Sequence, residues 1–154
     1  MSASPPATRQ LIDDFLKRRR IAVVGVSRNP RDFNTQLFRE FLQRGYDAVP
    51  VNPHPAELEG RACFPRVQDI QPPVEAALLL TPPEVTAQVV NDCAEAGVRL
   101  IWMRRAADPG VMESSGMRGL RLISGHCPFM FFPDAPWFHR FHGWLLKLAG
   151  KYPR

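Results

Sequence analysis

Apolar positions along the chain follow two alternating rhythms. Between residues 8 and 20, Leu11, Ile12, Phe15 and Leu16 recur at helical spacing. Thr8 suits an N-cap, and Lys17-Arg18-Arg19-Arg20 brings positive charge to the other end, so the pattern predicts an amphipathic helix over 8–20. The run Ile21-Ala22-Val23-Val24-Gly25-Val26 then has no polar alternation, which fits a strand buried on both faces. After Ser27-Arg28-Asn29-Pro30 the helical rhythm returns from Asp32 to Arg44. Leu37, Phe38, Phe41 and Leu42 form its apolar stripe, and Gly45 supplies a stop.

The alternation continues. Tyr46 to Val51 reads as a second strand, ended by Asn52-Pro53. Residues 54–73 are loop-like with four prolines, and Ala62-Cys63-Phe64 can add a short strand. Glu75 to Leu80 is a third strand, leading through Thr81-Pro82-Pro83 into a helix from Glu84 to Ala96 that stops at Gly97. Arg99 to Met103 is a fourth strand, Asp108 to Gly116 a weakly patterned helix, and Leu120 to Ile123 a fifth strand. Strands alternating with helices imply βαβ units: an α/β fold with a mainly parallel sheet and helices on both faces.

Length and composition narrow the picture. The chain has 154 residues, which suits one domain, and 45% of them are apolar, too many for a disordered segment. A chain of this size buries roughly 70% of its unfolded surface, so it needs no staple. Cys63, Cys93 and Cys127 are an odd number with no C-x-x-C pair, against both a disulfide framework and a structural zinc, and they suggest a cytoplasmic setting. No stretch approaches the ~20 apolar residues of a membrane span. The first 20 residues lack the apolar core of a signal peptide. The 16 prolines sit between the apolar runs and imply rigid connections. A net charge of +5 points to an anionic partner.

In an open α/β sheet, ligands bind beyond the carboxyl ends of the strands. The turn Gly25-Val26-Ser27-Arg28-Asn29-Pro30 is therefore the first place to look. Glycine lets the backbone approach a ligand, the following helix start offers free N–H groups, Ser27 has a hydroxyl, and Arg28 and Arg31 bring charge. Phosphate binding and a simple tight turn both fit, because only one glycine of the G-x-G-x-x-G pattern is present. An NAD site would need an acid at the tip of the second strand, but that tip reads Val51-Asn52-Pro53-His54, and Asp47 lies at the strand's other end. A ligand with a neutral or phosphorylated ribose suits it better, with His54 or Arg28 to meet such a phosphate.

No catalytic set emerges. His126-Cys127 follows the fifth strand, which makes Cys127 the one thiol at the ligand edge, yet adjacent residues rarely face each other. Paired carboxylates at a strand tip are absent, and His139 and His142, three apart, lack a third ligand, so no metal site is expected. Trp137, Phe141, Trp144 and Leu148 share one face of a basic amphipathic helix predicted over 137–148. Such a helix can cap the domain, pair with a second subunit or bind a partner protein. Nucleic acid is not expected, because aromatic residues are not interleaved with the charge on a sheet face.

The order Val24-Gly25-Val26-Ser27-Arg28-Asn29-Pro30, then Gly45-Tyr46 to Val51-Asn52-Pro53, then Trp102-Met103, then His126-Cys127-Pro128, resembles the small stand-alone CoA-binding proteins. These share the CoA-binding domain of the succinyl-CoA synthetase α subunit. The resemblance covers residues 20–130 and implies a single Rossmann-like, doubly wound domain with five main strands in the order 3-2-1-4-5. It further implies coenzyme A or an acyl-CoA across the strand tips, with Gly25, Val26, Ser27 and Arg28 at the phosphates. Asn52 and Pro53 would flank the adenosine ribose, and Thr81, Pro82 and Met103 would border the ligand. Two loops depart from the family pattern: Arg104-Arg105-Ala106-Ala107 replaces a Gln-Leu-Gly-type turn, and Thr81-Pro82 replaces Phe-Arg. The expected function is CoA binding without chemistry of its own. The alternatives are a small NADP-dependent oxidoreductase, a thiol-dependent CoA-processing enzyme using Cys127, and an interaction module acting through the aromatic C-terminal helix.

Overall fold

A computed structural model describes residues 9–106 and 108–132. Thr8 and the helix expected over 137–148 lie outside the described residues. The chain opens with α1 (Arg9–Leu16), whose Ile12 and Phe15 are buried. This helix ends four residues before the expected Arg20, because Arg20 already pairs with Asp47 as the first residue of a strand. The basic run is therefore the bend into the sheet and not a last helical turn.

Five parallel strands form the main sheet: β1 (Arg20–Val24), β2 (Asp47–Val51), β5 (Ala76–Leu79), β6 (Leu100–Met103) and β7 (Arg121–Ser124). β1 stops at Val24 and not at Val26, because Gly25 turns the backbone with φ +95°. Between β2 and β5 lie the two-residue strands β3 (Glu57–Leu58) and β4 (Arg61–Ala62), an antiparallel hairpin turned by Glu59 and Gly60, both at positive φ. The helices are α2 (Phe33–Gln43), α3 (Pro83–Glu95) and α4 (Pro109–Met117). Asp32 caps α2 by accepting the Asn34 N–H at 2.9 Å, and Asp108 caps α4 in the same way.

The fold is α/β and doubly wound, but the order of strands differs from the expected 3-2-1-4-5. It is β2-β1-β5-β6-β7, or 2-1-3-4-5 when the five main strands are counted in chain order. Pro50 explains the difference. A proline cannot donate to a ladder and belongs in an edge strand. Pro50 lies in β2, and on the strand's outer side its carbonyl accepts the Phe64 N–H. With that side closed by Phe64, the third main strand pairs on the other flank of β1, Ala22 beside Ala77.

Alternate strand residues feed two cores. Ile21, Val23, Leu78 and Trp102 pack with α1, α2 and the turn 128–131; Ala22, Val24, Leu79, Ile101 and Met103 pack with Val90 and Cys93 of α3. Trp102 is fully buried, meets Phe15 and Phe131 edge-to-face at 5.2 and 5.8 Å, and donates its indole N–H to the His126 carbonyl at 2.8 Å. It fixes the loop after β7 to the sheet. Since β1 connects through α2 to β2 on one side, while β5 pairs on the other, the winding reverses between β1 and β5. The crevice beyond that pair is where an open α/β sheet binds ligands.

Candidate functional site

The loop after β1 and the loop after β5 touch at the reversal point. A Cβ on Gly25 would lie 3.2 Å from the Leu80 carbonyl carbon and 3.3 Å from the Thr81 nitrogen. Together with the positive φ, this contact strains any side chain at position 25. The Gly25 N–H donates to Val51 and the Leu80 N–H to Val24, at 3.0 and 2.8 Å. Asn34, in the first turn of α2, then donates to both the Gly25 and the Leu80 carbonyl, each at 3.2 Å. One amide thus ties two loops.

The loop leading to α2 is built from its own side chains. Ser27 Oγ accepts the Asn29 N–H at 3.0 Å, Asn29 Oδ1 accepts the Arg31 N–H at 3.0 Å, and the buried Thr35 hydroxyl reaches the Ser27 and Asn29 carbonyls at 2.9 and 3.0 Å. Part of the expected set of open N–H groups at the helix start is thereby taken. The amides of Asn29, Arg31 and Asn34 are already occupied, the last by the Asp32 carboxylate at the start of α2. What the loop offers an anion is the Ser27 hydroxyl hydrogen and the exposed Arg28 side chain.

Asn52 at the tip of β2 closes the neighbouring side. Its Nδ2 donates to the Val26 carbonyl at 2.9 Å, and its Oδ1 accepts the His54 N–H at 3.1 Å. Asn52 therefore fastens two strand ends and forms the turn that leaves Pro53 and His54 exposed. Beyond β5, the Thr81 and Thr86 hydroxyls are 3.2 Å apart and Thr86 donates to the Pro82 carbonyl at 3.1 Å; Pro82 itself is exposed. Val26 and Met103 stand at the same edge with their side chains buried in the cores. Their carbonyls are bonded too, Val26 to Asn52 and Met103 to the Gly25-like turn at Gly125, at 2.9 and 3.1 Å. Of the residues expected from sequence, then, Gly25, Ser27, Arg28, Asn52, Pro53, Thr81 and Pro82 lie on the loops at this edge, with Arg28, Pro53 and Pro82 exposed, whereas the Val26 and Met103 side chains are buried in the cores.

Charge at this edge is uncompensated. Among the described residues, neither Arg28 nor Arg31 nor Arg104 nor Arg105 forms an ion pair. Arg104 follows β6, and its guanidinium lies 4.9 Å from the centroid of the Phe33 ring at the start of α2. Its Nε is buried with no hydrogen-bond acceptor. Sequence reasoning missed Phe33, Asn34 and Thr35. The signal for Asn34 was its place two residues after a helix-capping Asp32, which turns a first-turn side chain back toward the loop.

Cys127 also reaches this edge. Burial pushes its thiol pKa up, and the Phe129 amide and the charge of Arg104 offset this only in part. A nucleophilic cysteine needs the opposite shift. Burial lowers the pKa of His126, whose ring packs against Phe131 and makes no hydrogen bond to Cys127. No cluster of three or more metal-ligating side chains occurs among the described residues, and no helix among them is long and apolar enough to cross a membrane.

Comparisons with known proteins point to one family. The sequence profile of a family described as a CoA binding domain matches residues 19–133. The chain is 25% identical over 129 residues to the α subunit of an ADP-forming acetate–CoA ligase II from Pyrococcus furiosus, covering 76% of this chain and 28% of that subunit. It thus spans little more than a quarter of that relative. A solved hypothetical protein from Pyrococcus horikoshii superimposes with a TM-score of 0.71 at 28% identity, over 83% of this chain and 94% of that one. The dinucleotide-forming acetyl-coenzyme A synthetase 1 of Ca. Korarchaeum cryptofilum superimposes with a TM-score of 0.67 at 25% identity, over 74% of this chain and 28% of the synthetase.

Proposed function

Because the chain belongs to the CoA binding domain family, we propose that it binds coenzyme A or an acyl-CoA at the carboxyl edge of its sheet and performs no chemistry alone. The observation that carries this reading is the pair of exposed arginines, Arg28 and Arg31, without an ion-pair partner among the described residues, on the loop whose Gly25 packs tightly against the loop after β5. A ligand with several phosphates supplies the missing negative charge.

In this reading Ser27 and Arg28 hold the diphosphate, close to the Gly25 backbone. Asn52 and Pro53 flank the adenosine ribose, and His54 meets its 3′-phosphate. Thr81 and Pro82 border the arm. Phe33 and Val85 fit the apolar part of such a ligand: they are 38% and 44% exposed, and they stand in the first turns of α2 and α3, on either side of the crevice. The tip of β2 has no carboxylate to repel a ribose phosphate. The ligase relative enters the proposal only through its ligand class, since the matched region is 28% of its length. The raised thiol pKa of Cys127 speaks against a thiol-dependent step.

Thermal-shift titration with CoA, 3′-dephospho-CoA, NADP and NAD tests the reading. A ligand at 100 times its Kd stabilises by about 2.7 kcal/mol. CoA is expected to raise Tm and dephospho-CoA to raise it less at equal concentration. A response to NADP with none to CoA would replace the proposal with the oxidoreductase reading, and no response to CoA at millimolar concentration would refute it.

A further inference from the structure

Arg104 is not explained by CoA binding in general. Its backbone is fixed, with the N–H donating to Leu79 at 3.1 Å, and its side chain leaves β6 for the ring of Phe33, 4.9 Å away. That contact orients a planar guanidinium. Yet among the described residues the buried Nε has no acceptor, and no carboxylate pairs with the group. Asp32 and Asp108, at the starts of α2 and α4, are committed to capping those helices. Nε is enclosed, but the terminal nitrogens are not, and without a partner among the described residues they present a planar fork that the two oxygens of a carboxylate fit.

We infer that Arg104 is a specificity-determining residue that takes the free carboxylate of a dicarboxylic acyl group, so that the site prefers CoA esters of dicarboxylic acids to those of simple alkyl acids. This rests on the proposed CoA reading. With the ribose at β2 and the diphosphate at β1, the order β2-β1-β5-β6-β7 sends the rest of the ligand over β5 toward β6. Strands are spaced ~4.8 Å apart, so Arg104 is rooted roughly 10 Å beyond the tip of β1, toward the acyl end and away from the phosphates. Arg28, which is exposed at β1, remains available to the diphosphate.

Isothermal titration of the full chain with glutaryl-CoA, pentanoyl-CoA and CoA provides the test. The two esters have the same number of acyl carbons and differ by a terminal carboxylate. Glutaryl-CoA is expected to bind at least about tenfold tighter than pentanoyl-CoA. Arg104→Gln should bring that ratio close to one, and Arg104→Lys should retain part of it; far-ultraviolet circular dichroism confirms that each variant is folded. Equal affinities for both esters in the native chain overturn the inference while leaving CoA binding intact. An equal loss for all three ligands in Arg104→Gln also overturns it, because it would make Arg104 a phosphate contact. Failure of all three to bind refutes the CoA reading and this inference with it.

Discussion

Arginines at the two ends of the sheet are employed differently. At the amino end, Arg20 and Arg61 both bond Asp47, Arg20 also reaches the Pro72 carbonyl, and Arg121 on β7 pairs with Asp14 of α1 at 2.7 Å. These groups hold strands, a hairpin and a helix together. At the carboxyl end, Arg28, Arg31, Arg104 and Arg105 have no such partners among the described residues, and the loop that carries Arg28 and Arg31 is fixed instead by neutral hydrogen bonds from Asn34, Thr35 and Asn52. Where charge is neutralised within the fold, it serves architecture. Where amides and hydroxyls do the holding, charge stays available for something outside.

The largest expected break in this comparison is at Gly25. Gly25→Ala combines a positive φ with a contact to backbone and should cost about 2 to 4 kcal/mol in urea denaturation, with loss of CoA binding. Gly60→Ala shares the positive φ but meets nothing within 4 Å, so about 1 kcal/mol is expected there. Equal costs at the two positions would mean that the Leu80–Thr81 contact does not restrict the site.

A paired substitution addresses the two ends directly. Arg28→Gln should weaken CoA binding about tenfold and leave stability within about 0.5 kcal/mol. Asp47→Asn should do the reverse, losing about 1 kcal/mol of stability without altering affinity. If both changes moved stability and affinity alike, the division of labour between the ends would be wrong. The smallest effect is a pH dependence at the rim. Burial holds the pKa of His126 below its ordinary 6.5, so the unfolded chain binds this proton more readily than the folded one. Stability should fall as pH drops from 6.5 through the lowered folded value. The carboxylates of Asp14 and Glu59, lowered by Arg121 and Arg39, lose their contribution only at more acid pH. His126→Gln should flatten the upper window in pH-dependent denaturation curves, and an unchanged slope would assign it to another group.

Much of this molecule was legible in its pattern of apolar runs, because strands buried on both faces and amphipathic helices announce themselves locally. The order of strands was also within reach. Pro50 lies in the second strand, and a residue that cannot donate belongs at an edge, which excludes 3-2-1-4-5. Gly25, Ser27 and Arg28 were found because strand, turn and helix are contiguous in the chain. By contrast, the stacking of Arg104 on Phe33 joins residues 71 positions apart, and the role of Asn34 depends on where Leu80 arrives. Such contacts are decided by tertiary packing. Val26 and Met103 show the converse limit: being next to a site does not fix which way a side chain points.

Asn34 has a consequence for kinetics. Its two hydrogen bonds tie the loops after β1 and β5 together, so on the proposed reading the walls of the crevice are expected to be ordered when the chain folds and not when a ligand arrives. Association then has no closing step to wait for. Its rate is set by diffusion in the field of four uncompensated guanidinium groups, and it should slow steeply as added salt screens them.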